Sequence, residues 1–354
     1  MLLVLNTGSS SIRLSLFRAD LTEALQGAVT GIGGPAKLSL GGAERELHIA
    51  SHAEGIAAIL NALQTHGIPM DEITAAAHRV VHGGTALTGP TRLDKNALAA
   101  IEANVQLAPL HNPPALAGIR AVADALPGLP QYASFDTAFH AGQPDLATTY
   151  AIPETWRAKG LRRYGFHGLS YAGMVVQFGK DLPDRLLALH LGAGVSLCAI
   201  RNGRSVATSM GYSPLSGPTM ATRSGDIDGM AVLRLAEEIG IEAAGHLLNK
   251  DSGLLALGGT SDMRGLLAHE SAAARFAVDH FVWSTTHQAG ALIADMGGVD
   301  AVAFTGGIGE NSADIRQRIM DRLAWLGPLP VHVIAAEEER QIARDALAVM
   351  GKAG

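Results

Sequence analysis

The residues of this 354-residue chain best placed to do chemistry are cations on short turns and one carboxylate among apolar neighbours. Arg79 lies in His78-Arg79-Val80-Val81-His82-Gly83-Gly84, just before a β-branched pair and a glycine turn. Arg162-Arg163-Tyr164-Gly165-Phe166-His167-Gly168 gathers cations around a glycine-flanked histidine, and Thr222-Arg223-Ser224-Gly225-Asp226-Ile227-Asp228 adds another arginine on a turn. Asp136, in Phe135-Asp136-Thr137-Ala138-Phe139-His140, sits where desolvation or a nearby arginine decides its pKa. Ala108-Pro109-Leu110-His111-Asn112-Pro113-Pro114 reads as a proline-locked loop with His111 and Asn112 at its centre. Phosphoryl transfer needs such a set, because its transition state spreads negative charge that positioned cations neutralise.

Each of these residues taken singly has an ordinary explanation. The chain holds 14 histidines, so most serve surface or packing roles. A lone Arg79 reads as a surface ion pair of little energetic weight, and a lone Asp136 as a helix cap. The joint pattern is what points to phosphate, and a repeated loop strengthens it. Leu3-Val4-Leu5-Asn6-Thr7-Gly8-Ser9-Ser10-Ser11 and Leu187-Ala188-Leu189-His190-Leu191-Gly192-Ala193-Gly194 each follow an apolar run and lead into an alternating one, over 12–17 and 195–200. Both read as strand, tight loop, antiparallel strand. Glycine lets the backbone approach an anion closely, so that successive N–H groups point into one concavity, and Ser9 and Ser11 add hydroxyl donors. A third glycine turn, Thr305-Gly306-Gly307-Ile308-Gly309-Glu310-Asn311, follows a strand-like 301–304 run and precedes a helical stretch from Ser312.

These turns must be positioned by regular elements, and strand-like and alanine-rich helical runs interleave along the whole chain. Leu98, Ile101 and Val105 predict a helix within 94–107 capped by Asp94, and 271–296 predicts a long helix stopped by Gly297-Gly298. A strand over 331–334 and a final helix over 337–350 complete the pattern. The length suggests two domains. The repeated loops divide the chain near Gln143-Pro144: an N-terminal domain over 1–143, a nucleotide-binding domain over 144–338, and a terminal helix over 339–354 packing back on the first. A net charge of −6 argues against a general nucleic-acid binder. No apolar run approaches the roughly 18 residues of a membrane span, and the N-terminus lacks a basic segment followed by a long apolar one, so a cytoplasmic location and no membrane partner are expected. The single cysteine, Cys198, reads as core packing.

The chain resembles the acetate kinase family, within the superfamily of acetate and sugar kinases, heat-shock chaperones and actin. The resemblance runs in order through the Asn6–Ser11 loop, His78–Gly84, Ala108–Pro114, Phe135–His140, Arg163–Gly168, His190–Gly194, Ser209-Met210-Gly211 onward to Asp228, Ser252-Gly253-Leu254-Leu255 and Phe304–Asn311. It implies an α/β fold of two duplicated actin-like (ribonuclease H-like) domains around a central cleft. It also implies transfer of the ATP γ-phosphoryl group to a short carboxylic acid, with Mg²⁺, or alternatively Mn²⁺, in a homodimer. By that resemblance Arg79 and Arg223 clamp the acid and the phosphoryl group, His167 stabilises its equatorial oxygens, and Asp136 orients the acid or tunes the arginines. Asn6 and Glu338 would hold the metal, largely through water. Ser9, Ser11, Arg13, His190, Gly192, Gly194, Asp262, Arg264, Gly307, Gly309 and Asn311 would face ATP or ADP, with His111 and Asn112 in support. Val81, Leu110, Phe166 and Pro214 would line the pocket for the acid's methyl group, and a valine at 81 favours acetate over propionate by the 1–3 kcal/mol or so that one methylene is worth.

Departures from the family pattern cluster on the nucleotide side. Ala193 stands where asparagine is usual, Ala207 where aspartate is, and Gly229 where proline is. The turn 257–262 looks one residue short, and 326–330 lacks a longer excursion. Three readings remain at this point: a kinase for acetate and acetyl phosphate, a kinase for propionate or another short acid, and a weakly catalytic paralogue that binds nucleotide or acyl phosphate. Ala193 and Ala207 favour the last, while intact Arg79, Asp136, His167 and Arg223 oppose it.

Overall fold

The computed structural model describes residues 1–351; the last three residues of the helix expected over 339–354 lie outside the described residues. The chain divides into two compact units, Met1–Ala141 together with the chain from Glu337 onward, and Gly142–Ala336.

The first unit is built on eight strands: β1 (Leu2–Thr7), β2 (Ser11–Phe17), β3 (Glu23–Thr30), β4 (Gly34–Leu40), β5 (Ala43–Ile49), β6 (Ala75–Val80), β7 (Thr91–Arg92) and β8 (Gln131–Phe135). They form one sheet in the order β5-β4-β3-β2-β1-β6-β8-β7. β1 to β5 run antiparallel in sequence, whereas β6 joins β1 and β8 joins β6 in parallel. Strand residues alternate between faces. Leu3, Leu5, Ile12, Leu14, Leu16 and Ala76 point one way and pack with Ile56, Ile59 and Leu63 of helix His52–Thr65 and with Ala121 and Val122 of helix Asn112–Ala125. Helix Glu338–Gly351 packs on β1, β6 and β8, burying Ile342, Ala343 and Ala346.

The second unit holds β9 (Arg185–Leu191), β10 (Val195–Arg201), β11 (Arg204–Thr208), β12 (Ala301–Thr305) and β13 (Val331–Val333) in the order β11-β10-β9-β12-β13. β9, β10 and β11 are antiparallel neighbours, and β12 and β13 add in parallel. The succession β3-β2-β1-β6-β8 of the first unit has the same order and strand directions, so the duplication expected from the repeated loops is present in the backbone. Gly8 N–H donates to Ser11 O at 2.8 Å in one loop, and Gly192 N–H to Gly194 O at 3.1 Å in the other. Helix Ala272–Met296 begins where the Ser271 hydroxyl accepts from Ala274 N–H and ends at Gly297 with φ 70. Its Ala274, Ala277, Val278, Phe281 and Thr285 recur at helical spacing on the buried side. Cys198 is fully buried on β10, where burial pushes its thiol up to about 12.

Two expectations are corrected. Asn112-Pro113-Pro114 is the first turn of helix Asn112–Ala125 rather than the middle of a loop. Proline suits that place because the N–H it lacks has no helical partner there. The third glycine turn is itself helical over Gly306–Asn311, and a second helix, Ala313–Arg322, starts after Ser312. Gly306, at φ 77, supplies the backbone bend that lets β12 turn straight into a helix.

Candidate active site

β1, β6 and β8 lie side by side and parallel, so their carboxyl ends meet along one edge of the first unit. Register then selects the side chains. Leu5 pairs with His78 and Arg79 with Ser134. Asn6, Arg79 and Asp136 therefore fall on the face opposite the Leu3–Leu5 core, where helix Glu338–Gly351 packs.

The result is a compact charged cluster. Arg79 Nε and Nη2 donate to the two carboxylate oxygens of Asp136 at 3.0 and 2.6 Å. Nη1 lies 3.5 Å from both Asn6 Oδ1 and Glu338 Oε2. Burial works against the Arg79 cation, but Asp136 and Glu338 outweigh it and hold its pKa above the ordinary value. Burial pushes the Asp136 carboxyl up while Arg79 pulls it down. The fork geometry decides the balance for an ionised pair, since a protonated carboxyl would turn a hydrogen toward a guanidinium nitrogen.

The His82-Gly83-Gly84 turn behind this cluster is locked by its neighbours. Asn112 Oδ1 accepts from His82 N–H at 3.1 Å, Asn112 Nδ2 donates to His82 O at 3.0 Å, and Gly83 N–H donates to Thr137 Oγ1 at 3.2 Å. A side chain at Gly83 would place Cβ 2.2 Å from Leu87 O, so only glycine fits. Asn112 thus supports the site through the backbone that carries Arg79 and Val81. His111 immediately precedes the helix, Leu110 is 51% exposed, and Val81 is half-buried.

On the second unit, His167 takes a left-handed conformation (φ 58) just ahead of helix Gly168–Phe178. Its Nδ1 lies 2.9 Å from the hydroxyl of Ser196 on β10. The imidazole stacks on that of His190, 4.2 Å between centroids and 28° between planes, and His190 Nδ1 lies 2.9 Å from Ser170 Oγ. Gly194 is the close neighbour of both candidate catalytic groups here. A Cβ on it would stand 3.2 Å from His167 Nε2 and 3.3 Å from Arg223 Nη1. Arg223 Nη1 also donates to the carbonyl of Pro214 at 3.2 Å. Phe166 is only 1% exposed.

Other candidates lie apart from these clusters or carry different partners. Asp262 caps helix Met263–Ala268 through Arg264 N–H at 3.1 Å and pairs with the Arg264 guanidinium at 3.2 Å, with both side chains in solvent. Asn311 Nδ2 donates to Gly307 O at 2.9 Å, and Gly306 N–H donates to Glu310 Oε1 at 3.0 Å, so part of that turn is satisfied internally. Side-chain space at Gly307 is open, whereas Gly309 packs on Leu191 and Phe304. Arg13 is exposed on β2 opposite Asn6, and Ser9 and Ser11 flank the first loop. Arg163 is structural, its Nη1 donating to the Ser209 and Met210 carbonyls at 3.1 and 3.0 Å.

Sequence reading missed Ser170, Tyr171 and Ser196, which hold the two histidines. A serine inside the apolar run 195–200 was the one available signal. Among the described residues no group of three or more His, Cys, Asp or Glu side chains could hold a metal ion. The Asn6 and Glu338 donors are both oxygens, which suits a hard cation that keeps water and phosphate ligands. No helix among the described residues is long and apolar enough to cross a membrane.

Known proteins share this chain's sequence pattern and fold. A sequence model of the acetokinase family matches residues 1–345. The acetate kinase of Nitrobacter hamburgensis is 40% identical over 388 aligned positions, covering 99% of this chain and 96% of that protein. The acetate kinase of Clavibacter michiganensis is 41% identical, covering 98% of each. Among solved structures, a propionate kinase from Francisella tularensis matches with TM-score 0.93 at 33% identity (97% and 98% covered), and Porphyromonas gingivalis acetate kinase with 0.91 at 32% (99% of each). A match that spans both units at such identity, on the duplicated α/β fold already described, makes this chain a member of the acetokinase family.

Proposed function

We propose that the chain is an acetate kinase that reversibly transfers the γ-phosphoryl group of ATP to acetate, giving acetyl phosphate and ADP. The observation that carries this reading is the approach of His167 Nε2 and Arg223 Nη1 to Gly194, two donors beside a backbone loop able to receive phosphate oxygens. An acetate oxygen attacks the γ-phosphorus, the bond to the β–γ bridging oxygen breaks, and ADP leaves with the electron pair. Acetate is ionised at neutral pH, so the attack needs no general base. Arg79, aimed by Asp136, holds the carboxylate, while Arg223 and His167 neutralise the equatorial oxygens as charge develops. Val81, Leu110, Phe166 and Pro214 receive the methyl group.

Gly192, Gly194, Gly307, Gly309, Asn311, Asp262, Arg264, Ser9, Ser11, Arg13 and His190 form the nucleotide side of this reading, with His111 in support. Asn6 and Glu338 would hold Mg²⁺, which supplies charge neutralisation at the phosphates when bound. A homodimer is supported by helix Gly229–Ile239, which buries none of its residues and leaves Met230 and Leu233 71% and 56% exposed, next to Ile241 at 80%. The reading is of a cytoplasmic enzyme.

The second reading, a kinase of propionate, is favoured by the likeness to the Francisella propionate kinase and opposed by the valine at 81. Hydroxylamine trapping of acyl phosphate, with ATP, Mg²⁺ and acetate, propionate, butyrate or no acid, separates the two. Acetate-first turnover is expected. Propionate-first turnover would replace the leading reading, and no turnover with any acid despite nucleotide binding would make the chain a binding protein.

A further inference from the structure

The His167 ring sits at the end of a chain of hydroxyl groups that sequence reading did not include. Tyr171 Oη lies 2.6 Å from Ser196 Oγ, and Ser196 Oγ lies 2.9 Å from His167 Nδ1. Tyr171 and Ser196 are both fully buried, three residues share these two contacts, and two hydroxyl hydrogens serve them. A phenol is a stronger acid than an alkanol, and a neutral imidazole nitrogen is a better acceptor than either oxygen. The chain therefore runs from Tyr171 O–H to Ser196 Oγ and from Ser196 O–H to His167 Nδ1, each bond polarising the next. Burial pushes the Tyr171 phenol well above its usual range, so it keeps its hydrogen.

We propose that Ser196, oriented by Tyr171, is a positioning residue that fixes His167 as the Nε2–H tautomer, so that a hydrogen-bond donor rather than a lone pair is presented beside Gly194. The inference rests on the reading of His167 as the group that meets phosphate oxygens. An Nε2–H dipole held in one orientation stabilises oxygen charge without reorganising. The wrong tautomer would turn a lone pair toward those oxygens. His190, held through Nδ1 by Ser170, stacks on the same ring and limits its rotation.

The test is the tautomer itself, read by ¹⁵N-histidine long-range correlation spectra of the intact protein at alkaline pH, with the His167 signals assigned by their loss in His167→Ala. Wild type is expected to show Nε2–H at His167, and Ser196→Ala a mixture with Nδ1–H. The same variant should lose roughly 10–100-fold in kcat with little change in KM for acetate or ATP. Tyr171→Phe, which keeps the ring, should lose less, and Ser196→Thr, which keeps the hydroxyl, should recover the wild-type tautomer. An Nδ1–H tautomer in wild type, or an unchanged tautomer in a folded Ser196→Ala protein, would overturn the proposal. Wild-type turnover by His167→Ala would instead overturn the catalytic reading beneath it, which the spectra read separately.

Discussion

His167 and His190 stack face to face at 4.2 Å, and each is held by a serine that belongs to the other's neighbourhood. Ser196, the ladder partner of His190 on β10, holds His167; Ser170, one turn into the helix that His167 opens, holds His190. The crossed arrangement ties helix Gly168–Phe178 to the β9–β10 hairpin at the point where the second glycine loop begins. A shift of either element would disturb both rings at once.

Gly194→Ala tests the closeness of that loop to the proposed catalytic groups His167 and Arg223. The new methyl would meet His167 Nε2 at 3.2 Å and Arg223 Nη1 at 3.3 Å, close enough to displace both ends yet soft enough to leave the fold intact. Turnover should fall by about 10² or more while thermal stability stays near wild type. A variant with normal kcat would remove Gly194 from the site.

Breaking the Arg79–Asp136 pair should separate stability from activity. Arg79→Ala leaves a carboxylate that is 2% exposed without its counter-ion, a loss of about 3–5 kcal/mol. The double variant Arg79→Ala/Asp136→Ala removes both charges and should be more stable than Arg79→Ala while remaining inactive. Urea unfolding beside the trapping assay gives both quantities. Additive stability losses would contradict a coupled pair.

Acid should weaken the first unit before its carboxylates titrate. His78 and His82 are buried, and burial lowers each to about 4 from 6.5, with Gln131 pulling His78 partly back. Between pH 6.5 and 4 the unfolded chain binds these protons and the folded one does not, so stability is full above pH 6.5 and declines as the pH falls toward 4. The loss is on the order of 3 kcal/mol per histidine at most. Unfolding free energies at pH 7, 5.5 and 4.5 check this, and His78→Gln should flatten the slope.

Acid specificity should respond to Val81. Val81→Ala enlarges the space beyond Arg79, raising kcat/KM for propionate relative to acetate by roughly 10-fold or more. Equal ratios in the two proteins would show that Val81 does not face the acid.

Restoring the polar side chain in the second loop by Ala193→Asn should lower KM for ATP without changing KM for acetate. Nucleotide titration of both proteins checks the split.

The sequence by itself determined the duplicated strand–loop–strand units, the long helix over 272–296 with its Gly297 stop, and the turns that carry Asp136, His167 and Arg223, whereas Arg79, expected on a turn, lies within β6. These are local: apolar periodicity, capping and glycine turns act within a few residues and leave their mark in the order of residue types. Tertiary structure alone decided that Asn112 opens a helix and spends its amide on His82, that Glu310 satisfies Gly306, and that Ser196 and Tyr171 stand behind His167. It also decided that Asn6, Arg79, Asp136 and Glu338 form one cluster. That cluster depends on the lateral order β1-β6-β8 and on a terminal helix packing beside strands from the chain's beginning. Strand order and register are set by long-range burial, which no window of neighbouring residues records.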